Sequence, residues 1–122
     1  MIVKNGRVFG EDRRFTVRDV YIEDGIIVSD ESEVKNQTIV DATGCYVIPG
    51  LIDIHSHGAQ GHDFSDADEE GLHRILQYQR AHGITSYCPT SMTLPREQLE
   101  RIFMTAKEVK KSQKEADKEA AF

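Results

Sequence analysis

The dipeptide Pro49-Gly50 divides the chain into two stretches whose apolar residues keep different periods, and this change constrains the fold more than any other feature. Ahead of it, short runs at 2–4, 7–9, 17–22, 26–28, 38–41 and 46–48 are rich in β-branched and aromatic residues and read as strands. Asn5-Gly6 and Asp24-Gly25 lie between such runs, and both dipeptides accept the positive φ angles of a tight hairpin. A small antiparallel, sandwich-like β domain over residues 1–50 is therefore expected, needing another layer to cover its apolar face.

Behind Pro49-Gly50 the order becomes strand, helix, strand, helix. The apolar run Leu51-Ile52-Asp53-Ile54-His55 suits a strand covered on both faces. Asp66 followed by Glu69 reads as an N-cap with its capping-box partner, Leu72, Ile75 and Leu76 supply an apolar stripe, and His82-Gly83 ends the helix. Residues 84–88 form the next strand. Pro95 opens a second helix, along which Leu99, Ile102, Phe103, Ala106 and Val109 recur at helical spacing. Such β-α-β-α order implies parallel strands joined by right-handed crossovers. From Lys107 to Glu119 lysine and glutamate alternate with few apolar residues, which reads as a solvated helix face.

The chemistry concentrates where the first strand of this second region ends. Asp53, His55 and His57 alternate, so strict strand geometry puts all three on one face. Two neutral imidazoles at a strand end can share one zinc or iron ion. Alternate histidines also occur as hydrogen-bonded surface residues, so the spacing alone leaves both readings open. Asp53 lies a step below the imidazoles and reads as a hydrogen-bonding support. His62 follows in a glycine-containing loop, where an exposed surface role competes with an approach to substrate. His73 and His82 belong to the first helix, away from the pair, and Tyr87 and Cys88 fit a buried strand.

The stretch Val47-Ile48-Pro49-Gly50-Leu51-Ile52-Asp53-Ile54-His55-Ser56-His57-Gly58 resembles the signature with which the amidohydrolase superfamily passes from a small β domain into the first strand of a (β/α)8 barrel. The opening hairpins, Gly58-Ala59-Gln60-Gly61-His62-Asp63-Phe64, His82-Gly83-Ile84-Thr85 and Pro89-Thr90-Ser91-Met92-Thr93 are similar to the N-acetylglucosamine-6-phosphate deacetylase family within it. Dihydroorotases, hydantoinases and adenine deaminases share the strand motif.

The resemblance implies an α/β fold in which residues 51–122 form the first two βα units of a truncated TIM barrel. A complete barrel takes about 250 residues, roughly 30 per unit. It also implies a metal-dependent hydrolase that cleaves the N-acetyl amide of an amino sugar phosphate, with His55 and His57 as ligands of a divalent metal, zinc or iron. Some family members replace these histidines. The remaining ligands and the catalytic aspartate come from later strands in the family, so no catalytic residue is assigned in this chain. Residues 119–122 fall about where a third strand would begin, which reads as a truncated reading frame. A homo-oligomer is expected of the full-length protein.

Composition narrows the field from the other side. A formal net charge of −6 over 122 residues leaves no basic excess to drive binding to a phosphate backbone, so nucleic acid is not an expected partner. No stretch approaches the ~20 apolar residues of a bilayer span, and the N-terminus lacks the basic and apolar regions of a secretory signal. Cys45 and Cys88 lie outside any metal or redox spacing and read as reduced thiols of a cytoplasmic protein. The rival reading from another class is a non-catalytic binding module that kept part of the fold, whose exposed strand edge would need a partner to cover it.

Overall fold

A computed structural model describes residues 1–36, 38–113 and 119–122, which form two compact units, Met1–Pro49 and Gly50–Phe122. The first unit is built on one sheet. Strands β1 (Ile2–Phe9), β2 (Phe15–Glu23), β3 (Ile26–Val28) and β4 (Ile39–Asp41) lie in the order β3-β2-β1-β4, and β5 (Tyr46–Val47) also pairs with β1. The β2–β3 hairpin turns at Asp24-Gly25, both with positive φ, as the dipeptide predicts.

Asn5-Gly6 behaves differently. Residues 2–9 form one continuous strand, and the dipeptide makes a register shift against β2 instead of a hairpin. Asn5 takes φ 63°, its amide is held by Asp19 Oδ1 at 2.9 Å, and its side-chain amide donates to Asp41 Oδ1. Gly6 is needed for closeness, since a Cβ there would sit 2.5 Å from Val47 Cγ2. The sheet is also mixed, not antiparallel: β4 and β5 both run parallel to β1. Nor is it a sandwich within this unit, whose described strands all belong to one sheet; an apolar hollow lined by Val8, Val20, Ile27 and Val47 lies on its surface.

The second unit places β6 (Leu51–Ser56) parallel to β9 (Ile84–Pro89), joined through the short hairpin β7–β8 (Gly58–Ala59 and His62–Asp63) and helix α1 (Glu69–Ala81). Helix α2 (Arg96–Ser112) follows β9. The α/β order expected from the sequence is present. The start of α1 is not where Asp66 and Glu69 suggest: Asp68 is the N-cap, accepting from the Gly71 amide at 2.9 Å, while Asp66 closes a capping box with Asp63 around a 3-10 turn at Phe64–Asp66. Gly83, at φ 87°, ends the helix as expected.

The core of this unit joins Leu72, Ile75 and Leu76 of α1 to Tyr87 of β9, to Ile102, Ala106 and Val109 of α2, and to Phe64 and Ala120. Two expectations fail here. Phe103 is exposed although its spacing fits the stripe, and Cys88 is exposed although its strand is not. β6 is the larger surprise: Leu51, Ile52 and Ile54 are 50%, 67% and 75% exposed, so the run is not covered on both faces by the described residues.

Residues 114–118, within the stretch read as a solvated face, lie outside the described residues. Glu119 contradicts that reading, being buried with its carboxylate 2.5 Å from His73 Nδ1 and accepting from Gln113 Nε2 at 3.2 Å. Beyond it, Ala121 pairs in parallel with Ser86, its amide donating to the Thr85 carbonyl and its carbonyl accepting from the Tyr87 amide. Backbone groups of alternate residues point to opposite edges of a strand, so this bridge lies on the side of β9 away from β6.

No helix among the described residues is long and apolar enough to cross a membrane, which says nothing of a β-barrel.

Candidate metal centre

The site gathers at the C-terminal end of β6, where the strand does not alternate strictly. Its register with β9 is regular from Ile52 to Asp53, opposite Ser86 and Tyr87, and resumes at Ser56 opposite Pro89. β6 takes three steps where β9 takes two, which is a bulge. Asp53 and Ser56, placed on opposite faces by strict alternation, are thereby joined side chain to side chain, with the Ser56 hydroxyl donating to Asp53 Oδ2 at 2.7 Å. The expectation that Asp53, His55 and His57 share one face fails for this reason: the extra residue resets the alternation between Asp53 and the second imidazole.

The two imidazoles do meet. Their ring centroids are 5.9 Å apart and the planes perpendicular. Two histidines bound through nitrogen to one zinc ion at about 2.0–2.1 Å have centroids about 5–6 Å apart, so the spacing fits a shared cation. His57 is also oriented by the backbone, because its Nδ1 lies 2.8 Å from the Thr90 carbonyl oxygen. A carbonyl can only accept, so Nδ1 carries a proton, and in the neutral ring Nε2 keeps a free lone pair. In that tautomer Nε2 is available to a metal while the other ring nitrogen donates to a backbone carbonyl. Thr90 in turn gives its amide to the Ser56 carbonyl at 2.9 Å.

Asp53 supports the pair from below. Its Oδ1 accepts the His55 amide at 3.0 Å, and its Oδ2 accepts from Gln79 Nε2 at 3.3 Å. The Ser56 hydroxyl first, then the His55 amide and the Gln79 side chain, hold the Asp53 carboxyl below the usual range, against an opposing effect of burial. The carboxylate is thus a structural anion committed to hydrogen bonds.

The other histidines stand apart. His62 lies against the start of α1, 4.0 Å from Asp68 Oδ2, His73 is bound to Glu119, and His82 contacts the Tyr78 carbonyl. Among the described residues no group of three or more histidine, cysteine or carboxylate side chains is placed to hold a metal. Two residues that touch the site escaped sequence reasoning. Tyr87 reads as core and Gln79 as part of a helix, yet both hydroxyl and amide enter the Asp53–Ser56 network. The one available signal is that a buried tyrosine needs a partner for its hydroxyl.

The loops after β6 and β9 are tied together where the Met92 amide meets Ser65 Oγ at 2.9 Å. They flank the imidazole pair as active-site loops flank the strand ends of α/β enzymes. No family model matches the chain. An N-acetylglucosamine-6-phosphate deacetylase from Lysinibacillus sphaericus is 33% identical over 95 residues, covering 76% of this chain and 24% of the relative. The crystal structure of N-acetylglucosamine-6-phosphate deacetylase from Thermotoga maritima superposes with a TM-score of 0.67 at 25% identity, over 88% of this chain and 27% of that one.

In sequence and fold the chain is similar to N-acetylglucosamine-6-phosphate deacetylases.

An amidohydrolase of known structure from Thermotoga maritima also matches, with a TM-score of 0.51 and 26% identity over 74% of this chain and 30% of that one. Curated dihydroorotases and a 5-methylthioadenosine/S-adenosylhomocysteine deaminase share the similarity. The chain spans about a quarter of the length of the curated deacetylases it matches.

Proposed function

We propose that this chain forms the opening part of an N-acetylglucosamine-6-phosphate deacetylase. Residues 1–50 would contribute to its small β domain, and residues 51–122 would supply the first two βα units of its barrel. The observation that carries the reading is the imidazole pair at the end of β6, with His57 held by the Thr90 carbonyl in the ligand tautomer. It sits within a chain whose sequence and fold follow the deacetylases.

In this reading His55 and His57 hold a divalent cation, zinc or iron by the preference of imidazole nitrogen. When bound, such a cation supplies Lewis acidity towards an amide carbonyl and acidifies water at neutral pH. The chain's own residues orient the donors. Thr90 fixes the His57 ring, and Asp53 fixes the backbone at His55. The loops 58–66 and 90–94 shape the approach of a small amino sugar phosphate. The proton shuttle and further ligands would come from residues of the longer enzyme. The reading extends to a cytoplasmic, homo-oligomeric enzyme. A dihydroorotase-type hydrolase of the same superfamily is the second reading, favoured by the curated dihydroorotases to which the chain is also similar.

A chimera distinguishes them. Residues 1–122 joined to the remaining barrel of the Thermotoga maritima deacetylase should hydrolyse N-acetylglucosamine 6-phosphate in preference to dihydroorotate. A folded, metal-loaded chimera that rejects the amino sugar phosphate would show the branch to be wrong. The metal assignment has its own test. Calorimetric titration of the 122-residue chain with zinc should show a site that vanishes in the His55→Ala, His57→Ala double variant, and equal binding by parent and variant would remove the pair from the site.

A further inference from the structure

The bulge in β6 raises a question that hydrogen bonding answers. A bulge leaves one residue out of the ladder, and an unpinned bulge can migrate along its strand and re-aim every side chain beyond it. Here the residues beyond it include the second imidazole, so whatever pins the bulge also sets the pair. The freed His55 amide is taken by Asp53 Oδ1, which holds the near side. On the far side the Ser56 carbonyl accepts twice, from the Thr90 amide at 2.9 Å and from the Tyr87 hydroxyl at 3.1 Å. The Tyr87 oxygen also lies 3.2 Å from Ser56 Oγ, whose proton goes to Asp53.

Tyr87 is the last β9 residue in register before the bulge, opposite Asp53, and is 3% exposed. Its ring is fixed by the core that also holds Ile75, Leu76 and Ile102. It is therefore a rigid post from which one hydroxyl reaches across to the residue between the two histidines.

We propose that Tyr87 is a positioning residue for the imidazole pair, its hydroxyl acting through Ser56 to fix the β6 bulge and so to keep the His57 ring on the Thr90 carbonyl with Nε2 free. The inference rests on the metal-centre reading for its purpose but not for its geometry, because ring orientation can be observed with no metal present. Without the hydroxyl, the Ser56 carbonyl keeps only the Thr90 amide, and the clamp between Ser56-His57 and Thr90 loses its support from the core. The ring then exchanges between tautomers, and a cation meets a less organised pair. Loss of a partner that orients a ligand costs about tenfold to a hundredfold in metal affinity.

The test uses the 122-residue chain with its histidines labelled in nitrogen-15, at a pH where imidazole is neutral. In the parent, the His57 nitrogen shifts should report the Nδ1–H tautomer. Tyr87→Phe, which keeps the ring and its packing, should give a mixture containing the Nε2–H form, and cobalt titration should show about tenfold weaker binding. Ser56→Ala, which removes the hydroxyl between Tyr87 and Asp53, should move the tautomer in the same direction and serves if Tyr87→Phe does not fold. Tyr78→Phe, on α1 and outside the network, should leave both readouts at the parent values. A His57 that stays wholly Nδ1–H in the folded Tyr87 and Ser56 variants overturns the proposal. A parent that takes up no cobalt while its variants still shift the tautomer would uphold the positioning role and remove the metal reading alone.

Discussion

Leu72, Ile75 and Leu76 of α1 and Leu51, Ile52 and Ile54 of β6 are equally apolar, yet the helical trio is at most 3% exposed and the strand trio at least 50%. The difference lies in coverage. The helix stripe has β9 and α2 to pack against, whereas no layer among the described residues lies over the three β6 side chains. The polar end of β6 reverses the pattern: Asp53, Ser56 and His57 are partly buried and each is hydrogen-bonded within the unit. The unit thus organises its chemistry internally while leaving much of its apolar strand uncovered.

The most forceful way to test this contrast is to truncate one isoleucine on each side. Ile75→Ala removes a fully buried side chain and should cost about 2–5 kcal/mol through lost transfer energy and the cavity left behind. Ile54→Ser, at a residue 75% exposed, should change stability by no more than about 0.5 kcal/mol. Urea unfolding of the two variants measures both. Similar costs would mean that β6 is covered in solution by something outside the described residues.

A smaller effect sharpens the polar side of the comparison. Burial, chiefly, pushes the Tyr87 hydroxyl above its ordinary value and the nearby Asp53 charge adds to this, while its hydrogen bonds with Ser56 and Gln79 act the other way. The folded chain therefore holds this proton more tightly than the unfolded one. Between the unfolded value, about 10, and the raised folded value, unfolding releases the proton and stability falls as pH rises. Denaturation of the parent and Tyr87→Phe at pH 9 and pH 11 should show the parent losing more stability over that interval. Equal losses would mean that the hydroxyl is as exposed to water as in the unfolded chain.

Local pattern made part of this legible in advance. The apolar stripe of α1, its stop at Gly83 and the hairpin at Asp24-Gly25 all depend on neighbours within a few residues. Competing local signals misled elsewhere. Asp63, Asp66 and Asp68 are each able to cap a turn, and only the folded chain shows that two caps are used in succession. Asn5-Gly6 allows a hairpin or a bulge, and the decision falls to Asp19 and Asp41, distant in sequence. At the site the two histidines stood out by spacing. The bulge between Asp53 and Ser56 did not, and neither did Gln79 and Tyr87, because their partners lie 23 to 34 residues away along the chain.

The clamp on His57 also sets an order of events in time. Its ring is oriented by a carbonyl 33 residues further on, so it cannot settle until the chain from β6 through α1 to β9 has closed on itself. Loop closure of that span carries an entropic cost that helix α1, whose bonds are local, does not meet, so such contacts form late in folding. The His57 tautomer is then a clock for completion of the crossover. During refolding it should reach its final form after the helical signal of α1 has appeared, and a competent ligand pair would be among the last things this unit acquires.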